Sequence, residues 1–168
     1  AEKKATATAS PSDAILVGTL YARQNKLDNA RSWWRKARSL SGDDESTIVG
    51  IGRDQMELFL HSDALESFLA ARARNGATNA YADEVFKLRS ASGDVSEAVA
   101  DVVTAFSEDG DEVTAERRLS MLLSLDRGAN IIAESLAGLP RSSAKNLRLS
   151  AWFFRETKRW KEALDVIS

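Results

Sequence analysis

Along most of the chain the apolar positions recur every three to four residues, interrupted at short intervals by polar clusters. That period belongs to an α-helix that buries one stripe and solvates the rest. From Ser12 onward it predicts about ten helices of roughly 10–15 residues each. The interruptions read QNKLD, SGDDE, HSD, NGATN, SGDVS, EDGDE, DRGAN, LPRSS and TKRW. They are rich in Gly, Asn, Asp and Ser, which cap helices and close tight turns. Asp28, Ser62 and Ser96 are expected N-caps, because a short side-chain oxygen satisfies a free N–H of the first turn. Helices joined by such short links pack as antiparallel hairpins. The alternation that marks strands is missing, so the expected fold class is all-α. AEKKATATAS holds no large apolar residue, so residues 1–11 are expected to form a flexible tail ahead of an array over 12–168.

A repeat runs through this pattern. An alanine, a large residue four positions on and a second alanine three further give Ala30, Trp34, Ala37, then Ala64, Phe68, Ala71, then Ala98, Val102, Ala105. The first alanines stand thirty-four residues apart in both steps. Gly18 and Gly52 precede the first two by twelve residues, and Tyr21 follows Gly18 by three. Ala151, Phe154, Ala163 and Ile167 restore the offsets near the end, sixty-five residues after Ala98. The intervening unit is degenerate and is placed on Ala129, Ala133 and Leu136 with an insertion or deletion. The units are approximately 11–44, 45–78, 79–109, 110–143 and a truncated 144–168. Trp34 falls in the column of Phe68 and Val102 and is expected in the core. Trp33 shares a column with Ser67 and Asp101, and is expected outside it, lying over Lys36 or an arginine stem.

Gly18, Tyr21, Ala30, Trp34 and Ala37, followed by Ile51, Gly52, Ala64, Phe68 and Ala71, resemble the tetratricopeptide repeat (TPR) pattern W-x2-L-G-x2-Y, A-x3-F, A, P. The resemblance covers residues 11 to 168, closely in the first two units and loosely in the third and fourth. Phe86 and Arg89 replace the glycine and tyrosine of the third unit, and Gly42, Gly76 and Gly110 stand where the family has its proline. The resemblance implies five hairpins stacked as an α-solenoid in a right-handed superhelix with a concave groove. It implies that Arg23, Arg53, Lys87, Arg118, Arg148, Trp152 and Arg155 line that groove. A cationic row with an aromatic suits a protein or peptide with acidic segments. The Lys and Asn clamp of chaperone-binding members is missing, so that specificity is not carried over.

Composition removes other classes. Without cysteine there is no disulfide, thiol nucleophile or zinc–thiolate site. His61 is the only histidine, and its column with Leu27, Val95 and Trp160 assigns it to a turn, so triads and histidine-pair metal sites are excluded. The acidic run from Glu108 to Glu112 lacks the ligand spacing of a calcium loop and reads as a helix connection. No run is apolar enough for a membrane span. With a net charge of −2, no overall field argues for nucleic acid or membrane. Charge is nevertheless uneven: residues 1–40 carry eight basic and three acidic side chains, 41–140 eight and nineteen, and 141–168 seven and three. Basic ends around an acidic middle suit end-to-end contact or partner docking. WKEALDVIS would expose Leu164 and Ile167, which implies that the array continues or self-associates through its last helix.

The expected function is therefore a non-catalytic protein–protein interaction scaffold, without cofactor, forming a segment of a longer superhelix. Within the family, periplasmic scaffolds of bacterial exopolysaccharide assembly and export are the expected setting. The alternative is a regulatory or targeting domain attached to an enzyme, its groove holding part of the same chain.

Overall fold

The computed structural model describes residues 10–167, without the side chain of Ile167. The expected tail, up to residue 9, and the expected exposure of Ile167 lie outside the described residues. Those residues form ten α-helices and no strand: α1 Pro11–Arg23, α2 Leu27–Leu40, α3 Glu45–Glu57, α4 His61–Asn75, α5 Ala82–Ser92, α6 Val95–Asp109, α7 Glu112–Leu123, α8 Gly128–Ala137, α9 Ala144–Glu156 and α10 Trp160–Ile167. The chain is all-α. Its first helix starts one residue earlier than the apolar pattern suggests. Ser10 and Asp13 form a capping box that fixes Pro11 as the first helical residue.

Contacts divide the chain into two compact units at Leu88/Arg89, inside α5 rather than at a boundary between hairpins. In the first unit α1 pairs with α2, α3 pairs with α4, and α3 also packs on α1 and α2. In the second unit α6, α7 and α8 pack on one another, and α9 packs on α7, α8 and α10.

The thirty-four-residue period is written into the backbone. Asn25, Phe59, Gly93 and Arg127 all have left-handed φ, as do Gly42, Gly76 and Gly110. Each left-handed residue reverses the chain after a helix. After α1, α3 and α5 it allows the same six-residue closing bond: Lys26 donates to the Tyr21 carbonyl at 3.0 Å, Leu60 to Gln55 at 2.9 Å and Asp94 to Arg89 at 3.0 Å. Arg159 donates likewise to Phe154 at 2.7 Å after α9. This closure makes the α1–α2, α3–α4 and α9–α10 connections alike whatever side chains stand there. It also corrects the N-caps. Helices α2, α4 and α6 start after Lys26, Leu60 and Asp94, none of which caps through its side chain, and Asp28, Ser62 and Ser96 are second residues within their helices. Side-chain caps occur on the other helix of the pair, where Asp44 accepts from the Thr47 N–H and Asp111 from the Thr114 N–H.

The core follows the columns. Ala30, Ala64 and Ala98 are buried, as are Trp34, Phe68 and Val102 four positions on, and Ala37, Ala71 and Ala105 after them. Helix pairs approach closely because the facing positions are small. A Cβ on Gly18 would stand 2.7 Å from the Trp34 ring, and one on Gly52 would stand 3.1 Å from the Phe68 ring. The fourth hairpin departs from expectation by one residue. Gly128, Ile132 and Leu136 are buried, whereas Ala129 and Ala133 are only half-buried. Gly128 is required there because its Cβ would meet the Leu122 carbonyl at 2.0 Å.

The adjacent tryptophans separate as expected. Trp34 is buried in the cluster of Ala14, Ala30, Ala37 and Ile51. Trp33 packs on the edge of that cluster, and the Lys36 ammonium lies 4.5 Å from its ring centroid. Trp34→Ala is expected to cost about 3–5 kcal/mol. Trp33→Ala is expected to cost about 1–2 kcal/mol, a half-buried ring plus one cation–π contact. Equal losses in chemical denaturation would contradict the assignment.

Two glycines test the close approach. Ala is the better helix former by about 1 kcal/mol. Gly50→Ala should realise that gain, since its Cβ meets only the tip of Ile15 at 3.9 Å. Gly18→Ala should instead destabilise by about 1–3 kcal/mol, because the Trp34 ring must move. Opposite signs of the two shifts in unfolding free energy are the expected outcome.

Candidate functional site

The second unit holds a groove of about 520 Å³ between α7, α9 and α10. Its floor is apolar. Trp152 of α9 is buried beneath it, with Ala151 and Ala163 beside it. Its open side is formed by α10, where Trp160 and Leu164 are 59% and 62% exposed. These two lie four residues apart, on one face of the helix. The helix can leave them outward because the Arg159 side chain holds its start, 4.7 Å from the Phe154 ring and 3.0 Å from Glu162.

The rim is charged with both signs. Arg148 of α9 donates through Nε to Glu112 of α7 at 2.8 Å, and its terminal nitrogen bonds the same oxygen. This hydrogen bond holds the Glu112 carboxyl below the usual carboxylate range and the guanidinium above its own. Glu116, one turn along α7, behaves oppositely. Burial raises its pKa, while Arg155 opposes the rise and Glu112 and Glu156 add to it. Arg155 also stands 3.7 Å from Glu156. Each guanidinium is thus set against carboxylates of its own unit.

The residues expected along a concave row are placed as follows. Arg148, Trp152 and Arg155 come together in this groove. Arg118 is 8% exposed and does not offer its charge at the surface. The connection before α7 is the reason. Asp44 follows Gly42 by two residues, but Asp111 follows Gly110 directly, so α7 is turned by one position. Arg118 then takes the place of the buried Ile51, and its charge acts on Asp111 at the start of its own helix. Arg23, Arg53 and Lys87 are exposed on the first unit. Arg53 is near enough to Tyr81 to oppose the hydrogen bond to Glu45 that pushes the phenol up to about 12.

Trp160 and Glu116 were not among the expected site residues. By repeat phase Trp160 shares the turn column of His61. His61 itself opens α4, its ring 6.3 Å from that of Phe59. The acidic run resolves into the end of α6, a left-handed Gly110 and the cap Asp111, so it is a helix connection. Among the described residues no group of acidic and histidine side chains is arranged to hold a metal ion, and no helix is long and apolar enough to cross a membrane.

Neither a protein-family model nor a curated protein matches the chain.

The two carboxyls give a pH test. A carboxyl held low in the folded state contributes stability above its ordinary range, and the contribution is lost as pH falls through the folded value. A carboxyl held high contributes below its ordinary range and loses that contribution as pH rises through the folded value. NMR titration should place the Glu112 midpoint below the ordinary glutamate value and that of Glu116 above it. Arg148→Met should raise Glu112, and Arg155→Met should raise Glu116 further. Unchanged midpoints would contradict the pairing.

Proposed function

We propose that the chain is a non-catalytic scaffold of TPR-like hairpins that holds a protein partner in the α7–α9–α10 groove. The observation that carries this reading is the pair Trp160 and Leu164, exposed on one face of α10 above the buried Trp152. Aromatic anchors at the centre of an apolar patch dominate the affinity of protein interfaces. The arginine and glutamate rim supplies charges of both signs, which orient a partner more than they hold it. The partner that fits is an apolar helical segment with polar flanks. A purely acidic peptide fits less well, because each arginine of the rim already faces a carboxylate. The repeat of thirty-four residues in cap, left-handed turn and core supports the TPR-like arrangement within each hairpin.

A photo-crosslinking amino acid at Leu164, in cells that make the protein, tests the site. Adducts with a polypeptide should form from Leu164 and not from Thr104, an exposed position on α6. Trp160→Asp should reduce them about tenfold, as expected for an anchor residue. Equal adducts from both positions, or no effect of the substitution, would overturn the assignment.

A further inference from the structure

We propose that the groove is filled by a second copy of this chain, helix α1 of one copy docking on α9 and α10 of the next. The proposal rests on the groove being a binding site and supplies its occupant. Its basis is the way the first hairpin receives the second. The Thr19 hydroxyl of α1 donates to Asp54 of α3 at 2.5 Å. The tip of Ile15 lies 3.9 Å from the point where a Cβ on Gly50 would stand. Positions 15 and 19 of one hairpin therefore receive two positions of the following hairpin, Gly50 and Asp54. One repeat earlier, those two positions are Leu16 and Leu20.

The last hairpin repeats the first at an offset of 133 residues, which superimposes the closing bond from Lys26 to Tyr21 on that from Arg159 to Phe154. The receiving positions then become Arg148 and Trp152, both in the groove. The incoming positions of α1, Leu16 and Leu20, are 58% and 37% exposed. On α9 the same two positions are Leu149 and Phe153, and both are buried in a helix that packs on α7 and α8. Helix α1 thus presents the incoming positions exposed, and the groove presents the receiving ones beside the exposed Trp160. Docking sets Leu20 over Trp152 and Leu16 along the alkyl stem of Arg148, and leads the exposed Arg23 toward Glu156. The contact is heterologous, so each copy contributes one α1 face and one groove, and copies add head to tail.

Two blocked variants test it. Leu16→Asp with Leu20→Asp removes the incoming face, and Trp160→Asp removes the receiving one. All three positions are exposed, and circular dichroism melts verify that the variants remain folded. In sedimentation velocity the unmodified chain should associate increasingly with concentration. Each blocked variant alone should associate at least about tenfold more weakly. An equimolar mixture of the two should form a dimer and nothing larger, because it holds one usable face of each kind. Leu16→Gln with Leu20→Gln gives a milder block should the aspartates unfold α1. A chain that stays monomeric at its highest soluble concentration, or a mixture that forms no dimer, overturns the proposal. If Leu164 still crosslinks to a different polypeptide, the docking of copies fails while the scaffold reading stands. If Leu164 crosslinks to nothing, both fail.

Discussion

The first unit depends on how closely two antiparallel helices can approach. A glycine on the first helix faces an aromatic ring on the second, Gly18 against Trp34 and Gly52 against Phe68. The ring fills the space that a Cβ would take, and the flanking alanines let the helix axes stay close along the pair. Dispersion falls off steeply with separation, so the fit of the ring holds the hairpin and propensity adds little. The second unit meets the same demand with backbone instead of a ring. Gly128 opens α8 directly against the Leu122 carbonyl.

Around this fixed geometry the side chains vary with little consequence for the fold. One pair of facing positions illustrates it. In the first hairpin Tyr21 and Trp33 pack on the same cluster. In the second, Ser67 donates to Gln55 at 2.7 Å. In the third, Arg89 meets Asp101 at 2.8 Å. Aromatic packing, a neutral hydrogen bond and an ion pair occupy equivalent places because the left-handed turn between the helices sets the spacing.

The groove leaves two large apolar side chains, Trp160 and Leu164, at the surface. Its arginines are engaged with glutamates, which preorganises the rim and limits its appetite for further anions. The rest of the groove lining is aromatic and aliphatic. A face of this kind gains more from apolar burial than from charge, and the opposed pKa directions of Glu112 and Glu116 have different causes, the Arg148 hydrogen bond for the first and burial for the second.

Helix content, the pairing of α1 with α2, α3 with α4 and α9 with α10, and the core columns of the first three repeats were legible in the residues alone, because a stripe of apolar positions at a fixed period has few ways to be buried. Trp34 and Trp33 were assigned correctly for that reason. The helix starts were not legible. A left-handed turn closed by backbone hydrogen bonds leaves no side-chain signature when Asn, Phe and Gly all serve in it. The site was half legible. Repeat phase brought Arg148, Trp152 and Arg155 together in the groove, and Arg118 was misplaced because α7 starts sixty-seven residues after α3, not at the offset of sixty-five that set Arg118 in the column of Arg53. Only the tertiary structure decided that Arg118 lies inside, that Arg148 is held by Glu112, and that Trp160 stands open beside Trp152. Each of these depends on how helices distant in sequence are set against one another, which no single helical stripe encodes.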